Sequence, residues 1–94
     1  MDMMFTTNKD QPLDGLSVLI HIYSDTGSEQ AQIIYPYKGY IKSDLFNVGT
    51  VPEAIAVARK HTQSALAAAG AGSPCIWVYS AVPWDKDNWG PAPV

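Results

Sequence analysis

Thr50 and Glu53 stand at capping-box spacing ahead of an alanine-rich run that reaches Ala69 and stops at Gly70. At that spacing the threonine side chain accepts from the backbone N–H three residues on, and the glutamate can reach back. Pro52 suits the first turn, where a missing N–H costs nothing, and glycine supplies the left-handed residue that ends a helix. At 100° per residue, Val51, Ala54, Ile55, Ala58, Thr62, Ala65, Leu66 and Ala69 share one face, with Lys60, Gln63 and Ser64 opposite. That stripe is thin, mostly alanine, with Ile55 and Leu66 its large members. Such a helix sits close to a flat apolar surface, and the rest of the chain must supply one.

That surface reads as β-sheet. From Leu16 to Tyr23, Leu16, Val18, Ile20 and Ile22 alternate with Ser17, Leu19, His21 and Tyr23, a period of two with β-branched and aromatic enrichment. Asp14-Gly15 marks the turn into this strand, and Asp25-Thr26-Gly27-Ser28 turns the chain into a second, Gln30 to Tyr35, making a hairpin. Pro36 cannot donate to a ladder, so the second strand is expected to end there or to lie on an edge. Lys38-Gly39 turns again, and Tyr40 to Phe46 is read as a third strand. After Gly72-Ser73-Pro74, Cys75 to Val82 is apolar on both faces, the mark of a central strand. The expected fold is therefore α+β: an antiparallel sheet of three to four strands with one helix on one face, in the order β-β-(β)-α-β. Residues 1–14 read as a flexible leader, 15–82 as the single domain, and 83–94 as an irregular tail rich in proline and tryptophan.

Composition narrows the function classes. At 47% hydrophobic and 16% charged residues, the chain has the apolar content that a packed core needs. Lys9, Lys38, Lys42, Arg59, Lys60 and Lys86 are scattered, and the net charge is −3. Phosphate-driven binding needs a basic patch, so no nucleic-acid partner is expected. The longest apolar stretch is far short of a membrane span, and Met1-Asp2-Met3-Met4-Phe5 has no basic start before an apolar run. Cys75 is the single cysteine, which excludes an internal disulfide and favours a reducing compartment. The cytoplasm is the expected location, with no membrane partner.

No catalytic constellation emerges. His21, His61 and Cys75 are the only soft ligands and share no spacing that would gather them on a metal. No nucleophile elbow frames a serine. Asp85-Lys86-Asp87-Asn88-Trp89-Gly90 begins like a calcium loop, but tryptophan holds its fifth position and no bidentate glutamate follows. No cofactor or metal is expected, and a histidine acting alone as general base is the remaining enzymatic option.

A single helix hides one face of such a sheet. The other face would carry Leu19, His21 and Tyr23 from the first strand and Trp77 and Tyr79 from the last. Three devices could cover it: the tail folding back through Trp84, a second copy of the chain, or another protein. These six residues form the expected binding surface of a non-enzymatic interaction module, a homodimer or a small inhibitor, its acidic balance suited to a basic partner. The alternative is a small-molecule site between sheet and tail, using His21, Tyr23 and Trp84.

Gly49-Thr50-Val51-Pro52-Glu53-Ala54, entering a helix after a meander, resembles the corresponding turn of HicB-type antitoxin domains. It is also similar to small uncharacterised bacterial proteins in which a short meander precedes a T-x-x-E-A helix. The resemblance implies the β-then-α order and, for a HicB-like protein, a small RNase as partner. The usual Pro-Gly approach to the turn is missing, and no functional residue carries over.

Overall fold

The computed structural model describes the backbone of residues 3–8, 13, 16–37 and 40–94, and the side chains of all of these except residues 25 and 35–47. The fold is α+β. The elements are β1 (Met3–Phe5), β2 (Val18–Asp25), β3 (Ser28–Tyr37), β4 (Tyr40–Asn47), α1 (Val51–Ala69), β5 (Ile76–Ser80) and α2 (Lys86–Trp89). They build one five-stranded sheet in the order β1-β5-β2-β3-β4. The turns expected at Asp14-Gly15 and Lys38-Gly39 lie outside the described residues.

β2, β3 and β4 form the expected antiparallel meander. Its first hairpin is closed by Thr26 and Gly27, both at positive φ, 49° and 84°. Two positive-φ residues between Asp25 and Ser28 make the type I′ turn whose twist matches the flanking strands. β3 runs through Pro36, past its expected end, with an irregularity between Pro36 and Tyr37. The ladder to β2 ends at the Leu19–Ile34 pair, so Pro36 faces β4 alone, opposite Ser43. The missing N–H is thus tolerated as on an edge strand.

The sheet is mixed, not antiparallel throughout. A meander of three strands leaves β4 pointing the same way as β2; α1 returns the chain, and β5 must then run parallel to β2. β1 pairs parallel to β5 on its other side, so part of the expected leader belongs to the sheet and β5 becomes an inner strand.

Between α1 and the sheet lies the core: Val18, Ile20, Ile22, Ala31, Ile33, Ile76 and Val78 beneath Val51, Ala54 and Ala58. Thr50 caps α1, its Oγ1 accepting from Glu53 N–H at 3.4 Å, and Gly70 closes it at φ 76° with its N–H donating to Leu66 O. Ala54 and Ala58, not Ile55 and Leu66, form the buried spine; Ile55 packs on its flank, and Leu66 is half-buried. Thr62 is fully buried among these apolar groups, and its hydroxyl is satisfied by the carbonyls of Ala58 at 2.9 Å and Arg59 at 3.0 Å. Ala69 is exposed, so the last turn lifts away from the sheet.

A β-branched residue pays for positive φ where asparagine does not. Thr26→Asn should stabilise the fold by about 1 kcal/mol, seen as a rise of roughly 4–8 °C in Tm. Ala58→Leu should cost about 1–3 kcal/mol in a chemical-denaturation experiment, because α1 would have to lift off Ile20 and Ile33.

Candidate functional site

Pairing register and strand alternation define the face of the sheet turned away from α1. Three rows cross β5, β2 and β3: Trp77–Leu19–Ile34, then Tyr79–His21–Gln32, then Tyr23 beside Gln30. Met4 extends the first row onto β1, next to Trp77. The rows grade from apolar to polar. His21 sits at their centre, its ring 5.2 Å from that of Tyr79, edge-on, and 5.6 Å from that of Tyr23, within the range of favourable aromatic contacts. None of these nine residues is an acid, a lysine or an arginine. His21, Tyr23, Trp77 and Tyr79 are each half-buried.

Five of the six residues expected to share a face do so. Leu19 is nevertheless only 1% exposed, so it serves as floor and not as contact surface. Trp84 is on the other side. It packs against the core on the α1 side of the sheet, with its ring edge-on to Phe5 at 5.9 Å and to Trp89 at 5.2 Å. The sheet therefore separates Trp84 from His21 and Tyr23, and the three cannot line one pocket.

The reason lies in widths. Five strands at about 4.8 Å spacing span roughly 19 Å between outer strands, whereas a helix is about 10–12 Å across. α1 covers β3, β2 and β5, and apolar surface toward β1 remains. Val82, Trp84 and Trp89 fill it. The tail is ordered for this task. Asp85 caps α2, its Oδ1 accepting from the N–H groups of Asp87 and Asn88 and its Oδ2 from Asn88 Nδ2 at 2.7 Å. Trp84 Nε1 donates to Gly90 O at 2.9 Å, Pro93 is buried, and Val94 exchanges two backbone hydrogen bonds with Met3 and Phe5 along the outer side of β1. Asp85, the first residue of the stretch that begins like a calcium loop, thus caps a helix.

Gln30, Gln32, Ile34 and Met4 complete the rows and were not singled out from the sequence. The two-residue turn at Thr26-Gly27 was the available signal, since it sets Tyr23 against Gln30 and His21 against Gln32. His61 lies half-buried on the flank of α1, where burial lowers its pKa from 6.5. Cys75 immediately precedes β5, its N–H donating to the buried Ser17 Oγ at 3.0 Å and its carbonyl accepting from Val18 N–H. Among the described residues no three His, Cys, Asp or Glu side chains converge on a metal position, and no helix is long and apolar enough to cross a membrane.

The Asn88 side-chain hydrogen bond, with those from the Asn88 and Asp87 N–H groups, holds the Asp85 carboxyl below its ordinary 3.8. A depressed folded-state value adds stability that is present above the unfolded value and lost as pH falls through the folded one. Acidification below about pH 4 should therefore loosen the tail and redden tryptophan emission. Asp85→Asn, which still caps but does not titrate, should lack that component of the acid transition. No family model, curated protein or solved structure matches the chain.

Proposed function

We propose that this chain is a non-enzymatic protein-interaction module that binds through the Tyr79–His21–Gln32 and Tyr23–Gln30 rows of the sheet. The observation that supports this reading is a central His21 flanked by Tyr23 and Tyr79, with Gln30 and Gln32 beside them. Tyrosine and tryptophan combine a broad apolar body with a polar tip, so they tolerate partial exposure alone and gain from burial against a partner. Glutamines beside them supply donors and acceptors without the desolvation cost of an ion. The net charge of −3 fits an inhibitor or antitoxin-like regulator, whose acidic surface would steer it toward a basic partner. Trp77 and Met4 supply the apolar margin.

The test compares three tagged forms as bait in extracts of the source cells. Tyr79→Lys places a charge in the middle row and should lose whatever wild type retains. Val57→Lys, on the outer side of α1 where Val57 is 41% exposed, should retain it. Both should melt within a few degrees of wild type. A partner that survives Tyr79→Lys but is lost with Val57→Lys would move the binding surface to the helix.

A further inference from the structure

The sheet contains two links between parallel strands, and they travel in opposite directions. The strand order is β1-β5-β2-β3-β4. From β4 the chain passes through α1 to β5, moving toward the β1 edge. From β1 it passes through residues 6–17 to β2, moving toward the β4 edge. β4 and β5 both run in the direction of β2, and β1 runs in that of β5, so both links are parallel crossovers. Such crossovers are right-handed almost without exception. Two right-handed crossovers that move in opposite directions lie on opposite faces of a sheet. The link from β1 to β2 therefore belongs to the face turned away from α1, the one that carries His21.

Room and length agree with this. The other face is already filled, by α1 over β3, β2 and β5 and by Val82, Trp84 and Trp89. Phe5 is level with Val78, and Val18 with Ile76. The ends of the link thus stand about 12 Å apart, two strand spacings across and two residues along. Residues 6–17 reach about 40 Å when extended, which leaves chain to lie over the surface.

Leu13 and Leu16 are the aliphatic side chains of that link. Leu16 lies against Gly72, so closely that a Cβ at residue 72 would overlap its Cδ1. Leu13 is half-buried. On the face away from α1, Leu19 is 1% exposed and alone among the nine residues of the rows is sealed. We propose that these two facts have one cause: Leu13 seats on the Trp77–Leu19–Ile34 row, and the chain itself occupies the apolar end of the face. The consequence for binding rests on the partner reading above. A partner's footprint is then confined to the Tyr79–His21–Gln32 and Tyr23–Gln30 rows, with Trp77 and Met4 at its margin. Its complementary surface offers aromatic and hydrogen-bonding groups, not an aliphatic side chain for Leu19.

Proton–proton NOEs on the isotope-labelled full chain test the seat. Leu13 methyl groups should show cross-peaks to the Trp77 indole and the Leu19 methyls, and none to Trp84 or Trp89. As a second readout, Leu13→Asp should lower Tm by roughly 4–8 °C and redden tryptophan emission. In a Trp77→Phe background that red shift should vanish. Leu13→Met should stay close to wild type in both readouts, because it keeps the apolar volume. Cross-peaks from Leu13 to Trp84, Trp89 or α1 would put the crossover on the helix side and overturn the proposal. So would a Leu13 without cross-peaks to the row, or a red shift that survives Trp77→Phe. None of these results involves a partner, so they stand or fall apart from the bait comparison.

Discussion

Everything in this fold is arranged around the seat of one alanine-faced helix on a ridge of isoleucine and valine. Ala54 and Ala58 bring the backbone of α1 close to Ile20, Ile22, Ile33 and Val78, a contact that larger residues would prevent. Because the helix starts beyond β4 and must deliver the chain to β5, it crosses the sheet and fixes the direction of the last strand. The close seat also confines it. A helix pressed flat on three strands leaves the apolar surface toward the β1 edge without cover, and that deficit draws Trp84 and Trp89 to the helix side. The opposite face has less need of them, since tyrosine, histidine and glutamine tolerate water where Ile76 and Val78 do not.

This balance explains which parts of the fold could be read from the sequence. The helix, with its threonine cap and glycine stop, and the strands of the meander are written in local signals, each legible within about ten residues. The mixed pairing of the sheet is also implicit, because a helix after three meander strands forces a parallel return, although period-two patterning by itself carries no strand direction. β1 was beyond reach. Met3–Phe5 is too short to show a period, and its strand character comes from β5 on one side and Val94 on the other.

The candidate site divides the same way. Alternation alone puts His21 with Tyr23 and Trp77 with Tyr79, whereas the sharing of one face by both pairs follows from the β2–β5 register. Trp84 lies beyond the last strand, where no periodicity assigns a side, so its position is decided by which face lacks apolar cover. The burial of Leu19 is likewise invisible to alternation, which separates faces but does not say how deeply each position is sealed. Gln30 and Gln32 required the register, and the register required the backbone of the Thr26-Gly27 turn.

The tail's two tasks are physically linked, and the link bears on assembly. By bringing Trp84 and Trp89 beside α1, the chain carries Val94 to the outer side of β1 and closes that edge with main-chain hydrogen bonds. A sheet with two open edges can add strands at both and grow without limit, whereas one with a single open edge can only close on a partner.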